Sequence, residues 1–175
     1  SRGQENPYKD FSTIQRVYEM LLNSPDKKEL LFIILGGRKD EVQNFGKFQI
    51  RHYRYRSKPE DVAAFYKAAD IFLHAANADT FPNTVLEAQA CGTPVIATGV
   101  GGIPEQVEHG ATGYIVPPRD SAGIVKHIEQ LFAQKETLRH MGVRAAERAK
   151  SLYELQRQTR DYLALYERLI AMRRS

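Results

Sequence analysis

Between Glu29 and Arg38 the chain reads Leu30-Leu31-Phe32-Ile33-Ile34-Leu35-Gly36-Gly37, six apolar residues without a polar break and then two glycines. A strand with one wet face would alternate, so this run predicts a strand covered on both faces, as in a parallel sheet under helices. Shorter runs of the same kind recur at Asp70 to Ala75, Val95 to Ala97 and Gly113 to Val116, the last closed by Pro117-Pro118. Helical periodicity fills the intervals. Residues 10–24 place Phe11, Ile14, Val17, Tyr18, Leu21 and Leu22 on one face, and Ser24-Pro25-Asp26 stops that helix. Pro59 to Ala69 reads as a helix with Pro59 in its first turn and Val62, Phe65 and Tyr66 inward. Further helices are expected from about Pro82 to Cys91, from Ser121 to Gln134, from Lys135 to Lys150 and from Leu152 to Arg173. Residues 38–46 are expected to form a short helix and Gln49 to Tyr53 a strand. Strands alternating with helices define an α/β fold with a doubly wound parallel sheet.

In such a sheet ligands sit beyond the carboxyl ends of the strands. Those ends carry Gly36-Gly37, the segment Ala75 to Thr80, and Gly99 to Gly102. One stretch concentrates chemistry there: Asp79-Thr80-Phe81-Pro82-Asn83-Thr84-Val85-Leu86-Glu87, two carboxylates eight positions apart with a helix start between them. Amides at that helix start, such as those of Asn83, Thr84 and Val85, and the positive end of the helix dipole suit a negatively charged group. Pro82 has no amide hydrogen and suits the first helical position. Glu87 is a carboxylate among small and apolar neighbours. Gly101 and Gly102 allow close approach of the backbone to a ligand. Gly92 before Thr93-Pro94 reads as a helix C-cap.

With 175 residues the chain suits one domain. The net charge of +4 is scattered. Its densest basic group, Arg51, Arg54, Arg56 and Lys58, alternates with Tyr53 and Tyr55 and reads as a solvated strand edge, so no nucleic-acid partner is expected. One cysteine, Cys91, excludes an internal disulfide, favours a reducing compartment and reads as a small core hydrophobe. No apolar run is long enough to cross a bilayer and no signal peptide stands out. His74, at a strand end, is the histidine nearest the candidate site, although a core role fits it better; His52, His109, His127 and His140 fit no ligand or triad spacing. No Asp-x-Asp, Cys/His metal cluster, Gly-x-x-x-x-Gly-Lys-Ser/Thr loop or Gly-x-Gly-x-x-Gly fingerprint occurs, which argues against kinases, NTPases, dehydrogenases and metal sites.

The segment DTFPNTVLEAQACGTPVIATGVGGIPEQVEHGATGYIVPPRD resembles the donor-binding half of retaining GT-B glycosyltransferases of the glycogen-synthase-like group. That pattern is Glu-x7-Glu, then Ala-x-Ala-x-Gly-x-Pro-Val-Ile-Ala, Gly-Gly-x-x-Glu and a Gly-x-x-Gly-x-x-Val-x-Pro tail. Here Asp79 replaces the first Glu, and in the similar opening segment RGQENPYKDF an Asp10 stands where Gly is usual. The resemblance implies a Rossmann-like sheet forming one half of a GT-B fold, with residues 1–175 as the nucleotide-sugar domain and an N-terminal acceptor domain outside this chain. It also implies a strand before Arg2, whose loss would leave an unpaired edge or a gap in the sheet.

By the same resemblance Arg2 and Lys9 clamp the diphosphate of a UDP- or GDP-sugar, Glu87 accepts from the ribose hydroxyls, and Asp79, taken as the catalytic-site acid, contacts the transferred sugar. Gly36 lies in a loop of the kind that meets the base; Glu105 is a weaker candidate for a donor contact. The implied enzyme transfers the sugar to a polysaccharide, oligosaccharide or lipid-linked acceptor with retention and with neither metal nor further cofactor. It is expected in the cytoplasm, with peripheral association at the inner face of the membrane open to the full enzyme. The fragment alone is expected to bind donor weakly and to transfer nothing. Two alternatives stay open: a nucleotide-sugar epimerase or sugar-phosphate synthase on the same fold, and a non-catalytic nucleotide-binding module.

Overall fold

The computed structural model describes residues 7–25 and 29–174. Element order is α1 (Phe11–Leu22), β1 (Leu30–Gly37), β2 (Glu41–Phe45), β3 (Phe48–Arg54), α2 (Pro59–Ala68), β4 (Phe72–His74), α3 (Asn83–Ala90), β5 (Val95–Thr98), α4 (Ile103–Gln106), β6 (Gly113–Val116), α5 (Ser121–Ala133), α6 (Lys135–Tyr153) and α7 (Leu155–Arg174). The strands form two three-stranded sheets, β1-β3-β2 and β4-β5-β6. Pairing is parallel in β1·β3, β4·β5 and β5·β6. The α/β, Rossmann-like architecture expected from the sequence is present.

One element differs. Residues 41–45 are a strand, antiparallel to β3, where a helix was expected. After Phe45, Gly46, at φ 74°, turns the chain back into Phe48. The hairpin turn decides the segment, since five residues are too few for an apolar helical face.

One core cluster couples the two sheets. Val17 and Leu21 of α1, Ile124, Ile128 and Leu131 of α5, Phe48 and Ile50 of β3, and Ile96 of β5 pack together. On the other face Val95 and Ala97 of β5 meet Val85 and Ala88 of α3 and Ile103 of α4. Strand β5 is thus buried on both sides, the doubly wound arrangement.

The site-bearing helix is fixed at both ends. Pro82 is the N-cap of α3, in extended backbone, one position before the first helical residue where the sequence placed it. Buried Gln106 donates to the Pro82 carbonyl at 3.1 Å, and buried Gln89 donates to the Gln106 carbonyl and to Thr112 Oγ1, each at 3.2 Å. At the other end Gly92 (φ 80°) donates to the Gln89 carbonyl at 2.8 Å and Thr93 to that of Ala88 at 3.0 Å, closing a Schellman cap.

The outward edges of β1 and β4 line one opening, and no pairing joins them among the described residues. The last helix, α7, carries its apolar stripe in the open: Leu155, Tyr162, Tyr166 and Leu169 are all exposed.

Candidate functional site

The loop leading into α1 lies along the chain that leaves β4. The Asp10 amide donates to the Ala75 carbonyl at 3.1 Å and the Asn77 amide to the Tyr8 carbonyl at 2.9 Å, with Lys9 bridged to Ala76. Thr98 Oγ1, at the end of β5, bonds both the amide and the carbonyl of Ala76 at 2.9 Å. Asp10 caps α1, taking 3.1 Å from the Thr13 amide, 2.6 Å from its hydroxyl and 2.7 Å from Ser12 Oγ. Burial works against its charge, but these hydrogen bonds win and hold its carboxyl below the usual range. The Asp that stands where the family pattern has Gly therefore has a local structural job.

These ties bring Lys9, His74 and Asp79 together. Lys9 Nζ lies 2.7 Å from Asp79 Oδ2, and His74 Nε2 lies 3.4 Å from the same oxygen. His74 is buried, and burial first, then the nearby Lys9 cation, pushes its pKa down to about 4. The ring is neutral at pH 7.

Asn83 and Thr84 open α3 with amides that no earlier helical turn can accept, and both side chains are exposed. The Val85 amide is used by the Pro82 carbonyl at 3.2 Å, and its side chain is core. Glu87, one turn on, is exposed and takes a 3.2 Å hydrogen bond from Tyr66 Oη. Burial, then the Glu87 carboxylate, raises the Tyr66 pKa, which keeps the phenol a donor.

One cavity of about 1510 Å³ is lined by Lys9, Gly36, His74, Thr84 and Glu87. That exceeds a common ligand pocket because the cavity runs on between β1 and β4. Asp79 joins it through Lys9 and His74; Asn83, Val85 and Gly101 are not on its wall. Gly101, at φ 53°, lies so close to the Asp79 carbonyl that a Cβ there would sit 1.9 Å from it. Beside it, the Gly102 amide donates to the Thr80 carbonyl at 2.7 Å. The glycine pair thus meets the acid-bearing loop, so its freedom sets where Asp79 stands. Cys91 is half-exposed on the cavity wall rather than in the core, its thiol pKa raised by burial. Arg2 lies outside the described residues. Glu105 is exposed; its carbonyl accepts from Arg148 and Tyr153, tying α4 to α6.

Sequence reasoning missed Tyr66 as the partner of Glu87 and the Gln89–Gln106–Thr112 network. The signal available for the latter is two glutamines in otherwise apolar surroundings, each needing a buried partner.

An α/β domain that gathers a lysine, a helix start and carboxylates at the carboxyl ends of parallel strands has them where open sheets of this kind carry their ligand sites. Residues 2–148 match the family model described as glycosyl transferases group 1, and the chain belongs to that family. It is 35% identical over 112 residues to the N-acetyl-alpha-D-glucosaminyl L-malate synthase of Bacillus anthracis, covering 64% of this chain and 29% of that protein. With the D-inositol 3-phosphate glycosyltransferase of Corynebacterium efficiens it shares 32% over 160 residues, 85% of this chain and 38% of the relative. These relatives are thus matched over well under half their length. In fold it is similar to the sucrose-phosphate synthase of Thermosynechococcus elongatus (TM-score 0.77, 23% identity, 95% of this chain and 44% of the other). It is likewise similar to Anabaena HepE in complex with UDP-glucose (TM-score 0.72, 20% identity, 91% and 46%).

Proposed function

We propose that the chain is the donor-binding domain of a retaining glycosyltransferase. Its full enzyme moves a sugar from a UDP- or GDP-sugar to a polysaccharide, oligosaccharide or lipid-linked acceptor held by another domain. The observation that carries this reading is the convergence of Lys9, the start of α3 and Glu87 on one cavity, with Asp79 2.7 Å from Lys9. Negative charge grows on the diphosphate as it leaves, so fixed cations and amides aimed at it act where catalysis needs them. In this reading Lys9, with Arg2, takes the diphosphate beside the Asn83 and Thr84 amides. Glu87, held by Tyr66, accepts from the ribose. Asp79 meets the transferred sugar, and Gly36 borders the base. In this reading no step uses a metal.

The likeness to a protein solved with UDP-glucose supports a uridine donor over the alternatives. A thermal-shift panel of UDP, GDP, ADP and their sugars tests it, since a ligand that binds the folded chain stabilises it by mass action. One nucleotide series is expected to raise Tm, and Glu87→Ala to abolish the rise. A flat response to every nucleotide would overturn the donor-binding reading.

A further inference from the structure

His74 ends β4 with a side chain only 6% exposed, and its Nε2 has no hydrogen-bond partner of good geometry among the described residues. Buried polar atoms in folded proteins are almost always paired, so an orphan at a ligand site points to a contact completed in use. The nearest acceptor is Asp79 Oδ2, at 3.4 Å, the oxygen that Lys9 holds at 2.7 Å. These two donors differ in kind. Lys9 is 38% exposed on a flexible stem and is a natural counter-ion for an arriving diphosphate. His74 is rigid, fixed at a strand end and edged by Phe72 at 6.1 Å. Asp79 sits on the loop between β4 and α3, so its carboxylate needs a partner that stays when Lys9 turns to the ligand.

We infer that His74 is a positioning residue: a ring carrying its proton on Nε2 that fixes the Asp79 carboxylate toward the transferred sugar once Lys9 engages the diphosphate. The inference rests on the reading of Asp79 as the sugar contact. It assigns His74 to recognition of the sugar and not of the nucleotide, because the polar group nearest its Nε2 is Asp79, the residue read as the sugar contact.

The test compares calorimetric affinities of the chain for UDP and UDP-glucose, and for GDP and GDP-mannose, in wild type, His74→Leu and His74→Gln. Leu keeps the bulk without a donor; the Gln amide reaches about as far as Nε2. His74→Leu is expected to weaken binding of the sugar nucleotide at least fivefold while the bare nucleotide stays within twofold, and His74→Gln to recover most of the loss. Equal losses for both ligands, or none, would overturn the inference while leaving the proposed function standing. Absence of nucleotide binding in wild type would overturn both. A ligand-free readout decides the contact separately. Ring ¹⁵N spectra at pH 7 should place the His74 proton on Nε2, and a proton on Nδ1 excludes the role.

Discussion

The two sheets use the same apolar vocabulary and end in opposite states. In β5, Val-Ile-Ala-Thr is buried at every position, between α3 and α4 on one face and α1 and α5 on the other. Strand β1, Leu-Leu-Phe-Ile-Ile-Leu-Gly-Gly, has no fully buried residue, and Leu31 is 49% exposed. Composition does not separate them. What differs is the number of neighbours: β5 has a strand on each side, whereas β1 has β3 on one side and an open cavity on the other. A continuous apolar run states what a strand could bury, and its surroundings decide what it does bury.

Matched substitutions in the two halves test that contrast, and the largest effect should come from glycine. At Gly101 an added Cβ meets the Asp79 carbonyl at 1.9 Å in left-handed backbone (φ 53°). Gly101→Ala combines that conformational cost with overpacking, about 3–5 kcal/mol of destabilisation in denaturant unfolding. At Gly36, also left-handed (φ 100°), a Cβ meets nothing within 4 Å, so Gly36→Ala should cost only the backbone preference, about 1–2 kcal/mol. Equal costs would break the comparison. Core truncation follows. Ile96→Ala should cost about 2–5 kcal/mol and Leu31→Ala less than about 1 kcal/mol, read from the same unfolding curves.

The contrast also explains what could be read without a structure. The strand–loop–helix around Asp79 and Glu87 was legible because each signal there is local: apolar runs, a Pro before the helix, Gly92 after it. The hairpin at 41–45 was not, because five residues without a clean polar–apolar period acquire their meaning only from β3 alongside. Lys9 and Asp79 could be named separately, but not their 2.7 Å contact, which depends on how residues 8–10 dock along the exit of β4. Gly101 was legible as a special position and illegible in its purpose, since sequence does not say whether a close approach is to ligand or to backbone. Tyr66 was placed as an inward-facing residue, yet its hydroxyl's partner lies on another helix.

Acid should act on the motif-bearing half through His74. Its folded pKa of about 4 lies below the ordinary value of 6.5, so as pH falls the unfolded chain takes up the proton first. Stability is therefore unaffected above pH 6.5, declines as pH falls from there toward 4, and by then has lost up to about 3 kcal/mol. The charged groups facing the ring are Lys9, which opposes protonation, and Asp79, which favours it. Urea midpoints between pH 7 and 4.5 should fall for wild type and flatten for His74→Leu. An unchanged slope in the variant would place the acid sensitivity elsewhere.

The smallest effect belongs to the helix that joins the halves. On α2, Phe65 packs on Tyr53 of β3 with ring centres 4.9 Å apart, while the next residue, Tyr66, meets Phe72 of β4 edge-on at 5.3 Å. The Tyr66 hydroxyl reaches the site through Glu87, at 3.2 Å. Tyr66→Phe keeps the ring contact and deletes the hydrogen bond. A bond to a charged acceptor that is exposed to water is worth about 1 kcal/mol. Nucleotide affinity should therefore fall several-fold while Tm moves little, because the packing that joins the two halves is untouched. If Tm falls in step with affinity, the hydroxyl holds α2 against α3, and the seam belongs to the fold of the site rather than to its recognition of the ligand.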